Sequence, residues 1–136
     1  MRRKLIFFGA ALVSAGIFYF HPPVRAGEAD SRRALYLQYC ASCHGEDGKG
    51  KGPVSPYLKV KVLDLTVLKK NNKGVFPLAR VMSSINGSRA VRGHGDPVMP
   101  VWGEVFRKEL KDVKYPELTT LRKTQAIADY LSTLQR

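Results

Sequence analysis

Five consecutive residues, Cys40-Ala41-Ser42-Cys43-His44, hold both cysteines of the chain and one of its three histidines. The pattern Cys-x-x-Cys-His is the attachment signature of a c-type haem. Two thiols three residues apart on a helical turn can each add to one vinyl group of the same porphyrin. The next residue then lies beneath the ring with a nitrogen turned toward the iron. Cys-x-x-Cys alone would also suit a redox dithiol or half of a zinc site. The adjacent histidine, and the lack of a second cysteine pair, count against both.

A chain of 136 residues is long enough for one domain and too short for two substantial ones. With both thiols committed to a cofactor no disulfide is left to stiffen the fold, and the cofactor itself fills the core that so small a domain struggles to build. The 23 basic and 11 acidic side chains give a net charge of +12, which points to an anionic partner. Without a nucleic-acid-binding motif, an acidic protein face accounts for that charge better than DNA does.

Residues 1–26 read as a secretory signal. Arg2, Arg3 and Lys4 form the basic start, Leu5 to Phe20 is an uncharged and mostly apolar run, Pro22 and Pro23 break it, and Val24-Arg25-Ala26 supplies the small-residue cleavage site. The alternative is an uncleaved membrane anchor, for which the run is short against the usual span of about 20 residues. Cleavage after Ala26 leaves residues 27–136 as one domain with 19 basic against 11 acidic side chains, a net charge of +8. Export to the periplasm suits thioether chemistry, which follows translocation.

In the mature region, Asp30 or Ser31 is expected to cap a helix beginning near Arg32, with Leu35, Gln38 and Tyr39 leading at helical spacing into the cysteines. Gly45, Gly48, Gly50, Gly52 and Pro53 then predict a tight loop around the proximal side of the site. A ligating histidine needs an acceptor for its other ring nitrogen, and the carbonyl of Pro53 is the candidate. Seven lysines (49, 51, 59, 61, 69, 70 and 73) follow with Asp64 as the only acid among them. Such a run is either a solvated face or a surface that steers an acidic redox partner. Asp64-Leu65-Thr66 is expected to open a short helix. Pro77 opens another through Val81, Met82 and Ile85, closed by Asn86-Gly87. Met82 reads as a core thioether rather than a ligand.

The stretch from Arg92 to Gly103 is a loop by composition, able to carry a side chain across the distal face. It offers two sixth ligands. Met99, between Val98 and Pro100, has the apolar and stiffened setting that suits a thioether. His94, between glycines and near Asp96, suits solvent or a carboxylate, so Met99 is favoured. Trp102 is expected to pack at the cofactor's edge. Glu104 to Leu110 predicts a short helix, and Thr119 or Thr120 caps a final one whose Ile127, Tyr130, Leu131 and Leu134 form an apolar stripe facing Leu35 and Tyr39.

The chain resembles the class I cytochromes c. The matching residues are Cys40-Ala41-Ser42-Cys43-His44-Gly45, the segment ending Gly52-Pro53, Ile85-Asn86-Gly87, Met99-Pro100-Val101-Trp102-Gly103 and Ile127-Ala128-Asp129-Tyr130-Leu131. They span essentially the whole mature chain in the family's order, and the section from Asp64 to Pro77 looks like that of bacterial periplasmic members. The lysine density before Phe76 departs from the pattern. The resemblance implies an all-α cytochrome c fold, a few helices around one haem, with His44 and Met99 as axial ligands.

The expected function is one-electron transfer. A His/Met iron has no open position, both ligands persist in both oxidation states, and the soft thioether favours Fe(II). No arrangement of acid, base and nucleophile suggests an enzyme in its own right. Two alternatives stay open: the cytochrome subunit of a periplasmic dehydrogenase, and a haem-based sensor or peroxidase-like protein in which Met99 leaves the iron.

Overall fold

Proline and glycine set several of the boundaries of this protein's elements, Gly45, Pro77, Gly87 and Pro116 among them. In the computed structural model, which describes residues 26–88 and 101–136, five α-helices follow in order: α1 (Ala26–Tyr39), α2 (Ala41–His44), α3 (Leu78–Asn86), α4 (Trp102–Glu109) and α5 (Pro116–Thr133). Single 3-10 turns lie at Ser55–Tyr57, Leu65–Val67 and Lys70–Asn72. Every regular element among the described residues is helical, so the expected all-α class holds. No helix among them is long and apolar enough to cross a membrane. The expectations for residues 1–25, and those for His94 and Met99, lie outside the described residues.

Helix α3 follows Pro77 and ends at Gly87, whose φ of 80° is the left-handed conformation that stops a helix without steric cost. Two other starts differ from expectation. Helix α1 is already formed at Ala26, the first described residue, ahead of the start expected near Arg32, and the Ser31 hydroxyl turns back to the Glu28 carbonyl at 2.8 Å instead of capping. Helix α5 opens at Pro116, where a fixed φ and a missing N–H suit the first turn. The two threonines expected to cap it are already inside, with Thr119 Oγ1 donating to the Tyr115 carbonyl at 2.9 Å and Thr120 buried. The short helix expected at Asp64 forms only two separated 3-10 turns, the first capped by the Asp64 carboxylate accepting from the Thr66 amide at 2.8 Å.

The core is one cluster in which α1, α3, α4 and α5 meet: Tyr36 and Tyr39, Val81 and Ile85, Phe106, then Ile127, Ala128 and Leu131. Helices α1 and α5 join through the Tyr36 and Tyr130 rings, 5.1 Å apart, with Leu35 and Leu134 packed at the margin. Helix α4 inserts Phe106 edge-on against Tyr39 at 4.9 Å. Helix α3 closes on α4 so tightly that a Cβ on Gly103 would stand 2.5 Å from the Asn86 carbonyl oxygen. Met82 is half-buried against the core, as a packing residue of α3. These four helices hold the end of α1, and therefore Cys40, in a fixed place.

Candidate haem-attachment site

Helix α1 does not stop at the cysteine motif so much as turn there. The Cys40 amide donates to Tyr36 at 2.9 Å, continuing the α1 ladder, while Cys40 itself adopts φ −122° and ψ −34°. Beyond that corner, His44 and Gly45 donate to the Cys40 and Ala41 carbonyls at 2.9 and 2.8 Å, completing one further turn. Residues three apart on such a turn share a face, so Cys40 and Cys43 stand side by side. Both are half-buried and form no disulfide, whereas His44 is only 5 % exposed.

The environment of the first thiol bears on its chemistry. Burial, then the neighbouring Cys43, pushes the Cys40 thiol up to about 12. Redox dithiols work the other way, with the leading thiolate stabilised and its pKa lowered. Among the described residues, no three His, Cys, Asp or Glu side chains gather into a multidentate ion site. Two thiols and one imidazole on a single turn fit a planar group that carries its own nitrogen donors, takes two covalent anchors and needs one axial ligand.

His44 Nδ1 lies 3.3 Å from the carbonyl oxygen of Leu63. That carbonyl, and not that of Pro53, is the acceptor. With Nδ1–H donated there, the lone pair resides on Nε2, and this is the tautomer a metal requires. Pro53 is exposed, and its neighbours are bound to the motif from outside: Gly52 N–H donates to Cys43 at 3.0 Å and Val54 N–H to Ser42 at 2.9 Å. The loop then leaves and returns, bringing Leu63 back beside His44.

Gly52 makes this clasp possible. A Cβ there would overlap the Ser42 carbonyl oxygen and stand 2.5 Å from that of Ala41, so only glycine lets the two backbones approach. Gly50 N–H donates to His44 at 2.8 Å and Leu65 N–H to Gly48 at 2.7 Å, fixing the rest of the loop. Trp102 is half-buried and meets Tyr39, the residue before Cys40, edge-on at 5.3 Å and Phe106 at 6.2 Å. It thus stands against the helix that delivers the first thiol.

All seven lysines between residues 49 and 73 are exposed. Lys49 pairs with Asp47 at 3.1 Å, while the other six have no carboxylate partner among the described residues. Asp64 is taken by Arg136 at 2.9 Å, so the one acid in the run does not offset them. Exposed apolar side chains interleave with these cations: Val54, Val60, Leu63 and Tyr57, the last 85 % accessible.

Sequence reasoning missed three contributors. Tyr36, fully buried, donates its hydroxyl to the Gly45 carbonyl at 2.7 Å. Leu63 supplies a backbone atom, which no side-chain pattern reveals. The last two residues clasp the segment after Leu63: Arg136 reaches Asp64 and Thr66, and Gln135 accepts from the Lys69 amide and donates to Leu65, all at 2.8–2.9 Å. No protein-family model, curated protein or solved structure matches this chain.

Proposed function

We propose that this protein is an exported one-electron carrier of the cytochrome c type, with a single haem attached through Cys40 and Cys43 and ligated by His44 and Met99. The observation that carries the reading is the one turn presenting two adjacent thiols and a buried imidazole whose Nδ1 is occupied by the Leu63 carbonyl. The bound haem would supply the one-electron couple. The protein's part is ligand choice, tautomer control and exclusion of water. Donation from Nδ1–H would make the His44 Nε2 a stronger donor to a bound iron, and the Met99 thioether as second ligand would favour the reduced state. Low reorganisation follows from holding both ligands throughout.

On this reading the protein is no enzyme by itself, works in the periplasm and meets acidic redox proteins through its lysine-rich face. A membrane association would come only from an uncleaved N-terminal segment. A second reading, the cytochrome subunit of a dehydrogenase, gains from the exposed Tyr57 and Leu63 among the lysines, because an apolar centre within a charged rim suits a longer-lived complex.

The test is an optical spectrum of protein exported by a host able to attach haem, oxidised, then reduced, then exposed to carbon monoxide. A covalently held low-spin haem with the weak near-red sulfur-to-iron band, indifferent to carbon monoxide, supports the carrier. Rapid carbon monoxide uptake would move the reading to a sensor or peroxidase-like protein. Protein without covalent haem would refute it.

A further inference from the structure

Tyr36 sits four residues before Cys40 on α1, with none of its surface accessible. Its ring packs at a tilt of 44° on Tyr130, a contact that phenylalanine would make equally well. The hydroxyl is therefore not there for packing. Burying a hydroxyl is unfavourable unless it is hydrogen-bonded, and here it has one short bond, 2.7 Å to the carbonyl oxygen of Gly45. That carbonyl follows His44 directly. It also accepts from Gly48 N–H at 3.1 Å, and the carbonyl of His44 accepts from Gly50 N–H at 2.8 Å. The backbone leaving the histidine is thus held on one side by its own loop and on the other by a side chain rooted in the α1–α5 contact.

We propose that Tyr36 is a positioning residue for His44, its hydroxyl fixing the Gly45 peptide and with it the direction in which the imidazole faces. The inference rests on His44 being the axial ligand. Without the hydroxyl, the Gly45 carbonyl loses its link to α1, and the His44 backbone gains freedom. The ring then aligns less well with both the Leu63 carbonyl and the metal. Weaker Nδ1 donation makes Nε2 a poorer donor, which disfavours Fe(III) and raises the reduction potential. A less firmly held ligand is also displaced by protons at higher pH.

The test is Tyr36→Phe in the haem-loaded protein, with three readouts: thermal midpoint, reduction potential and the pH at which the axial histidine leaves on acidification. Tyr130→Leu serves as a packing control, since it disturbs the same interhelical contact without touching the hydroxyl. The expected result is a raised potential and an acid transition at higher pH in Tyr36→Phe, with neither change in Tyr130→Leu. A lowered thermal midpoint with an unchanged potential and acid transition would make the Tyr36 hydroxyl a stabilising hydrogen bond with no hold on the imidazole and overturn the proposal. Equal shifts in both variants would overturn it too. Should Tyr36→Phe not accumulate, trifluorotyrosine at position 36, a stronger hydrogen-bond donor of nearly the same shape, is expected to move both midpoints the opposite way, and no movement overturns the proposal. A wild-type protein without c-type haem shows itself in the starting spectrum, separating failure of the ligand reading from failure of Tyr36.

Discussion

Replacing Gly52 by alanine tests the clasp on the cysteine turn. The added Cβ would stand 2.5 Å from the Ala41 carbonyl oxygen, against an ordinary contact of 3.4 Å or more, so the two backbones must separate by about 0.9 Å. Both facing walls are main chain, and no side chain can swing aside. The bonds that hold the loop there, 3.0 Å from Gly52 N to Cys43 and 2.9 Å from Val54 N to Ser42, would then stretch beyond hydrogen-bond range. Two lost bonds cost about 1–3 kcal/mol and overpacking about 1–3 kcal/mol more. The reduced freedom of the unfolded chain returns about 0.5–1 kcal/mol. The net is about 3 kcal/mol, a large share of a typical total of about 5–15 kcal/mol.

Two other glycines separate steric clash from backbone conformation. Gly74 has φ +83° and open space around its Cβ position, so alanine there meets only the left-handed penalty, a net cost of about 1 kcal/mol. Gly27 has open space and a helical backbone in α1, where alanine is expected to stabilise by a few tenths of a kcal/mol. Urea titrations followed by circular dichroism, with the slope held common, give the order directly. At a slope of about 2 kcal/mol/M, the Gly52 variant unfolds about 1.5 M earlier than wild type. A Gly52→Ala protein no less stable than Gly74→Ala would refute the close approach.

The remaining expectations concern ligands, charge and acid stability. Met99→Ala should open the sixth position to carbon monoxide and lower the reduction potential, while His94→Ala should change neither; loss of the low-spin spectrum in His94→Ala alone would reverse that assignment. Changing Lys69, Lys70 and Lys73 to glutamate should slow electron exchange with an acidic partner and flatten its salt dependence, without altering the haem spectrum; an unchanged rate removes the docking role. The Thr66 hydroxyl and amide, then Arg136, hold the Asp64 carboxyl below its ordinary range. Its contribution to stability is therefore present above the unfolded value of about 3.9 and is lost as pH falls through the lower native value. Asp64→Asn should be less stable than wild type at neutral pH, with the gap closing in strong acid; a gap constant with pH would show that the carboxylate charge plays no part.

What the sequence made legible was punctuation and local spacing. Pro77 and Gly87 bracketed α3 because each has a backbone preference that neighbours seldom override. The turn holding Cys40, Cys43 and His44 was readable for the same reason, its geometry being set by intervals of three and four. Threonine carries no such weight. Thr119 and Thr120 suit a cap by type, but the Thr119 hydroxyl serves equally well bonded back to the Tyr115 carbonyl, Thr120 is buried, and Pro116 took the first turn. On α1, spacing that selected Leu35 and Tyr39 passed over Tyr36, the most buried of the three. The acceptor for His44 was the least accessible of all. Pro53 was the near choice in sequence, but Gly52 and Val54 spend their amides on the outside of the cysteine turn, and the carbonyl that reaches the imidazole arrives ten residues later at Leu63.

The grip of Gln135 and Arg136 on residues 64–69 also orders events in time. The Lys69 amide has its acceptor on a side chain 66 positions away, so it stays open to exchange with solvent until the last turn of α5 has formed. Its deuterium uptake should follow that of Leu134, whose amide closes the same turn on Leu131 at 3.2 Å, rather than that of nearer neighbours such as Asn72.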